Sequence, residues 1–296
     1  MPTLPPGAYT ALVTPFSSDG SNIDWSAYEQ LIAEQIDGKI AGLVPCGTTG
    51  ESATLSDVEQ REVARRTVSF AKGRAKVVVG TGSNNTQRTI DASKAAVDVG
   101  ADGVMLVMPC YSKPSQEGLF RHVQAVASAV SCPIMLYNIP GRTAVELGVE
   151  SLLRILDACP NVVALKDASG GLIYCQELLQ KAPDRILILS GDDPLTLPAI
   201  SLGSRGVVSV TSNLYPRAVS DLVEDALAGR YAEAQKKNQR LFPIHRALFC
   251  EPSPQPVKAA LSLKGKMNAS VRLPLVEASQ PTRALLTELM ARYEAQ

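Results

Sequence analysis

The chain alternates between short, unbroken apolar runs and longer stretches in which apolar residues recur every three or four positions. The apolar runs are rich in β-branched residues and begin near Ala8, Leu43, Val77, Val104, Ile134, Val162, Ile186 and Val207. Unbroken runs predict strands covered on both faces, as in a parallel sheet flanked by helices. Tyr28, Leu31, Ile32 and Ile36 share one helical face after Asp24. Val63, Ala64, Thr67, Val68 and Ala71 share another, after the capping box Ser56-Asp57-Val58-Glu59. Further helices are predicted after Asn85, near Ser115, and after Val149, Leu172, Pro194 and Pro216. Spacings of roughly twenty to thirty-five residues suit parallel strands joined by helical crossovers.

Eight strand–helix units by about residue 229 predict an α/β fold, a closed (β/α)8 TIM barrel, over residues 1–229. Residues 230–296 break the pattern. They predict a C-terminal three-helix appendix packed on the barrel, with helices near 231–249, 256–264 and 282–294. An open doubly wound sheet is the competing architecture. Its nearest dinucleotide fingerprint, Gly80-Thr81-Gly82-Ser83-Asn84-Asn85, lacks the third glycine. No phosphate loop ending in Gly-Lys-Ser/Thr is present.

Composition narrows the function class. Of 296 residues, 45% are hydrophobic and 20% charged, as in an ordinary globular chain. A formal net charge of zero gives no electrostatic reason to expect nucleic acid or an anionic membrane as partner. The first residues, Met1 to Pro6, lack the basic and apolar regions of a signal peptide, and no apolar run approaches a membrane span of about 18 residues. These readings predict a cytoplasmic protein. Cys46, Cys110, Cys132, Cys159, Cys175 and Cys250 form no C-x-x-C pair, and His122 and His245 lie far apart. No metal site and no disulfide framework is expected.

Candidate chemistry gathers at the strand ends, which converge on the active-site face of such a barrel. Lys166 closes the run Val162-Val163-Ala164-Leu165 and precedes Asp167-Ala168-Ser169-Gly170-Gly171. A strand-end lysine ordinarily points into water. A desolvated one has a lowered pKa and attacks carbonyl carbon to form an imine. Tyr137 occupies the fifth position counted from Pro133, as Lys166 does from Val162. Neighbouring strands about 4.8 Å apart would set phenol and amine side by side, ready for proton transfer. Gly47-Thr48-Thr49-Gly50-Glu51-Ser52 follows the second strand, just before a helix, and offers N–H and O–H donors for a carboxylate. Tyr111 follows the fourth strand. Arg142 follows the fifth and suits carboxylate recognition. Gly191, after strand seven, opens a backbone carbonyl to a ligand, and strand eight runs through Val208. A lysine, two tyrosines, two threonines and an arginine serve carbonyl condensation or cleavage through an imine on a keto acid.

These segments resemble the dihydrodipicolinate synthase (4-hydroxy-tetrahydrodipicolinate synthase) family of pyruvate-dependent class I aldolases, from about Gly7 to Leu275. The matching motifs are GTTGESATL from Gly47, PSQEGL from Pro114, YNIPGRT from Tyr137, LKDASG from Leu165, LSGDD from Leu189, EPSPQPVK from Glu251 and RLPL from Arg272. The resemblance implies a lyase that condenses pyruvate with L-aspartate 4-semialdehyde, the first committed step of diaminopimelate and lysine biosynthesis. It implies that Lys166 forms the pyruvate imine, with no other cofactor. Tyr137, Thr48 and Tyr111 would relay protons, and Thr48 and Thr49 would bind the pyruvate carboxylate. Arg142 would guide the semialdehyde, and the backbone of Gly191 and Val208 would line the pocket. Tyr111 would reach into a neighbouring subunit, so a homodimer or homotetramer is implied.

Two alternatives remain. N-acetylneuraminate lyases and 2-keto-3-deoxy sugar-acid aldolases share the loop, tyrosine and lysine, but generally lack the equivalents of Arg142 and Tyr111. A barrel that only binds a keto acid would be expected to lose Lys166 or Tyr137. The resemblance also implies a lysine-binding regulatory cleft, in which strongly inhibited members carry two histidines, an asparagine, a glutamate and an aromatic. Asn84 is kept and Ser52 and Ala53 match, but Asp57, Gln60, Arg88 and Cys110 stand at the other positions. Arg88 sets a cation where an anion would pair with lysine, so weak or absent lysine inhibition is expected.

Overall fold

The computed structural model describes residues 3–295. Met1, Pro2 and Gln296 lie outside the described residues, and with them the outer ends of the expected segments and part of the leader reading. The chain runs β1 (Gly7–Ala11), α1 (Trp25–Asp37), β2 (Gly42–Val44), α2 (Asp57–Ala71), β3 (Lys76–Gly80), α3 (Thr86–Asp98), β4 (Gly103–Val107) and α4 (Gln116–Ala129). It continues through β5 (Ile134–Asn138), α5 (Pro140–Thr143), α6 (Val149–Ala158), β6 (Val162–Asp167), α7 (Ile173–Lys181), β7 (Leu187–Ser190), α8 (Thr196–Leu202) and β8 (Gly206–Ser209). It ends with α9 (Pro216–Leu227), α10 (Tyr231–Ala247), α11 (Gln255–Leu263) and α12 (Gln280–Glu294).

The eight strands close in sequence order into one parallel barrel, with β8 pairing back onto β1. The fold is therefore the (β/α)8 TIM barrel, with helices following at the C-terminus. The helix starts are set locally. Asp24, Ser56, Asn85 and Ser115 each cap a helix by accepting a hydrogen bond from the backbone N–H three residues on, and Ser56 and Glu59 complete the reciprocal capping box. Two features were not anticipated. A short helix, α5, interrupts the loop after β5, and the Gly47–Ser52 segment runs into a single 3-10 turn at Ser52–Thr54 rather than directly into α2.

Strand alternation divides the apolar residues into two cores. Tyr9, Val44, Val78, Met105, Met135, Tyr137, Ala164, Leu189 and Val208 fill the barrel. Leu43, Val77, Val104, Ile134, Leu136, Val162, Leu165 and Val207 point outward into the helical layer. The interior is thus packed rather than hollow, and only the rim is open to polar chemistry. The C-terminal helices pack on α9 and on one another. Among the described residues, no helix is long and apolar enough to cross a membrane.

Candidate active site

Strands β5 and β6 build the centre of the site. Their pairing shifts once, between Ile134 and Met135, and then runs in register, setting Tyr137 opposite Lys166. Without that irregularity the inward parity of one strand would be reversed relative to the other. Lys166 Nζ stands 4.0 Å from the centre of the Tyr137 ring. Both side chains are buried, at 6% and 4% exposure. Among the described residues Lys166 has no acidic side chain in ion-pair contact. Asp167, the next residue, is not its counterion: its carboxylate accepts from the Ser169 N–H, and burial holds its pKa above the usual carboxylate range.

Gly191 follows β7 and makes room for the lysine. A methyl group there would meet Ala168 Cβ at 2.9 Å, Asp167 O at 3.1 Å and Lys166 Cε at 3.1 Å. Its N–H also donates to Asp167 O at 2.6 Å, tying the ends of β6 and β7 together. Val208 lies in the barrel core below. Lys166, Tyr137, Gly191 and Val208 are therefore assembled within one chain.

The other candidates lie in the segments that follow β2, β4 and β5, at the same end of the barrel. Thr49 is buried and Thr48 half-buried, in the loop after β2. Arg142 is exposed on α5 and forms no ion pair among the described residues, so it is not committed to a surface salt bridge. Tyr111 is 91% exposed and has a left-handed backbone, φ 69°. No hydrogen bond joins the side chains of Thr48, Thr49, Tyr111 or Arg142 to Lys166 or Tyr137 among the described residues.

Sequence reasoning gave no role to the residues that fasten the threonine loop. Glu51 is 4% exposed, and its carboxylate accepts from Lys258 Nζ on α11 at 2.5 Å and from the Arg272 N–H at 2.9 Å. Lys258 is completely buried, and desolvation lowers its pKa to about 8 although Glu51 pulls the other way. Arg272 grips Glu59 through two N–H groups, holding the Glu59 carboxyl down to about 2. The signal was available. Lys258 stands in the apolar run Pro256-Val257-Lys258-Ala259-Ala260, the same anomaly that singles out Lys166.

Comparison with known proteins identifies the family. The chain matches the model of the dihydrodipicolinate synthetase family over residues 5–292. It is 55% identical over 289 residues to a 4-hydroxy-tetrahydrodipicolinate synthase of Sorangium cellulosum, covering 98% of this chain and 96% of that one. The structure of the 4-hydroxy-tetrahydrodipicolinate synthase of Methylacidiphilum fumariolicum SolV superposes with a TM-score of 0.96 at 44% identity, covering 98% of this chain and 96% of that one. The chloride-inhibited dihydrodipicolinate synthase of Acinetobacter baumannii, solved in complex with pyruvate, gives 0.95 at 37% identity, covering 98% of this chain and 99% of that one.

Proposed function

The chain belongs to the dihydrodipicolinate synthetase family, and we propose that its chemistry is carried by an imine between pyruvate and Lys166. It is a lyase that condenses pyruvate with L-aspartate 4-semialdehyde to 4-hydroxy-tetrahydrodipicolinate, the step that opens diaminopimelate and lysine biosynthesis. The residue roles are the proposal. The observation that carries them is the buried Lys166 side chain, its Nζ 4.0 Å from the centre of the Tyr137 ring and, among the described residues, without an acidic side chain in ion-pair contact.

In this reading Lys166 Nζ adds to the C2 carbonyl of pyruvate, and the oxygen leaves as water. The imine makes the methyl protons acidic, and loss of one gives an enamine. Its carbon attacks the aldehyde carbon of the second substrate. Tyr137 receives and returns the protons, with Thr48 and a neighbouring subunit's copy of Tyr111 completing the relay. Thr48 and Thr49 hold the pyruvate carboxylate by hydrogen bonds, and Arg142 meets the carboxylate of the semialdehyde. Gly191 and Val208 shape the wall. When the semialdehyde's own amine closes the ring, it displaces the lysine nitrogen and frees Lys166. The amine supplies the electrophilic activation itself, so no further cofactor is invoked. The protein is expected to work in the cytoplasm as a homodimer or homotetramer.

Incubation with pyruvate followed by borohydride tests the imine. The adduct should fall on Lys166, located by mass spectrometry of the digest, and Lys166→Arg should lower turnover by roughly three orders of magnitude or more. Labelling of a different lysine, or of none, refutes the mechanism.

A further inference from the structure

The loop from Gly47 to Gly50 carries the two threonines, and three attachments hold it. The Thr14 hydroxyl donates to Gly50 O at 2.8 Å. The loop also closes on itself, Glu51 N–H donating to Thr48 O at 3.1 Å and Ser52 N–H to Gly47 O at 3.3 Å. The third attachment arrives from 207 residues away, where Lys258 Nζ meets Glu51. Glu51 takes a left-handed backbone, φ 54° and ψ 38°, at the exit of the loop. A residue other than glycine holds that conformation at some cost, and here both carboxylate oxygens are occupied.

The surroundings make the attachment rigid. Lys258 and Glu51 side chains are 0% and 1% exposed. Lys258 Nζ donates a further bond to Ser270 O at 2.8 Å and lies 4.0 Å from the centre of the Phe16 ring. The Arg272 guanidinium stands 4.4 Å from that ring and also donates to Gly20 O and Thr54 O. A buried ion pair contributes little net stability, because desolving two charges offsets their attraction, and apolar replacements of equal volume are often neutral. What two directed bonds to one carboxylate do supply is a fixed orientation.

We propose that Glu51 and Lys258 are a positioning pair through which the C-terminal helices set the geometry of the loop that receives the pyruvate carboxylate. The inference rests on the reading that Thr48 and Thr49 hold that carboxylate. It separates the two substrates, because the semialdehyde is met by Arg142 on α5, which this network does not touch. Loosening the pair should therefore weaken pyruvate binding selectively.

The test compares wild type with Glu51→Gln and with Glu51→Gln/Lys258→Met, the double variant removing both buried charges together so that neither is stranded. Thermal melting identifies the folded variants. In these, the pyruvate KM and the pyruvate concentration for half-maximal borohydride trapping should both rise about tenfold, while the semialdehyde KM stays within about twofold. A folded double variant with wild-type pyruvate dependence overturns the inference, as does an equal rise in both KM values, which would mark a general structural role. Wild type serves as the control for the reading beneath. If wild type labels at Lys166 and the variants match it, only the positioning role fails. If wild type does not label, the imine reading fails first and takes the inference with it.

Discussion

A methyl group at Gly191 has nowhere to go. Its contacts would be the Ala168 Cβ, the Asp167 carbonyl oxygen and the last methylene of Lys166. Gly191→Ala is therefore expected to displace the amine and to cost about 1–3 kcal/mol in overpacking strain. Imine formation measured by borohydride trapping should slow markedly in protein that still folds; trapping at the wild-type rate would show that Gly191 does not shape the lysine's path. Arg142 gives a second residue-level expectation. Its guanidinium is exposed and uncommitted to any ion pair among the described residues, so removing it leaves no stranded carboxylate behind. Charge-assisted hydrogen bonds of about 1.5–3 kcal/mol correspond to a semialdehyde KM roughly 10- to 150-fold higher in Arg142→Ala, with pyruvate trapping retained. The same assay run with N-acetylneuraminate and 2-keto-3-deoxy sugar acids should show the semialdehyde as the faster substrate.

At the scale of elements, what the sequence revealed was what is decided locally. Asp24, Ser56, Asn85 and Ser115 announce helices because a cap needs only a side chain and an N–H three residues away. The facing of Tyr137 and Lys166 was legible because strands consecutive in sequence are neighbours in this barrel. The irregularity between Ile134 and Met135 was not, because it depends on how two strands pair rather than on either alone. Lys258 stands out as a lysine in an apolar run, but its pairing with Glu51 was not legible for the same reason at longer range: nothing near Glu51 indicates a partner 207 residues on. Helices α2 and α3 carry a further expectation. Arg88 reaches Asp57 at 2.7 Å, with side chains 61% and 77% exposed. So exposed a pair is worth only about 0–1 kcal/mol and leaves the guanidinium as a cation where the resemblance places the regulatory cleft. A lysine ammonium would meet like charge there. Titration with lysine at sub-saturating pyruvate should show weak inhibition or none; inhibition at micromolar lysine would mean that Arg88 does not face the ligand.

For the molecule as a whole, the unresolved economy lies in Tyr111. A large aromatic 91% exposed and held at φ 69° buries little of its surface in its own chain and pays for a left-handed backbone. Lys166, Tyr137 and Gly191 are by contrast complete within one barrel. The two halves of the site therefore respond differently to assembly. If Tyr111 completes the relay of a neighbouring copy, dilution to monomers should abolish turnover while pyruvate still forms its imine on Lys166. Tyr111→Phe should lower turnover at every concentration without shifting the association equilibrium greatly, since it removes only the hydroxyl. Mixing Tyr111→Phe subunits with inactive Lys166→Arg subunits gives the sharper reading. In a mixed dimer, the Lys166→Arg subunit would supply an intact Tyr111 to a partner that retains Lys166. Activity should then rise above the sum of the two parent variants. Sedimentation run alongside these assays fixes the oligomeric state at each concentration, and a fully active monomer, or mixtures no better than their parents, would show that each barrel completes its own relay.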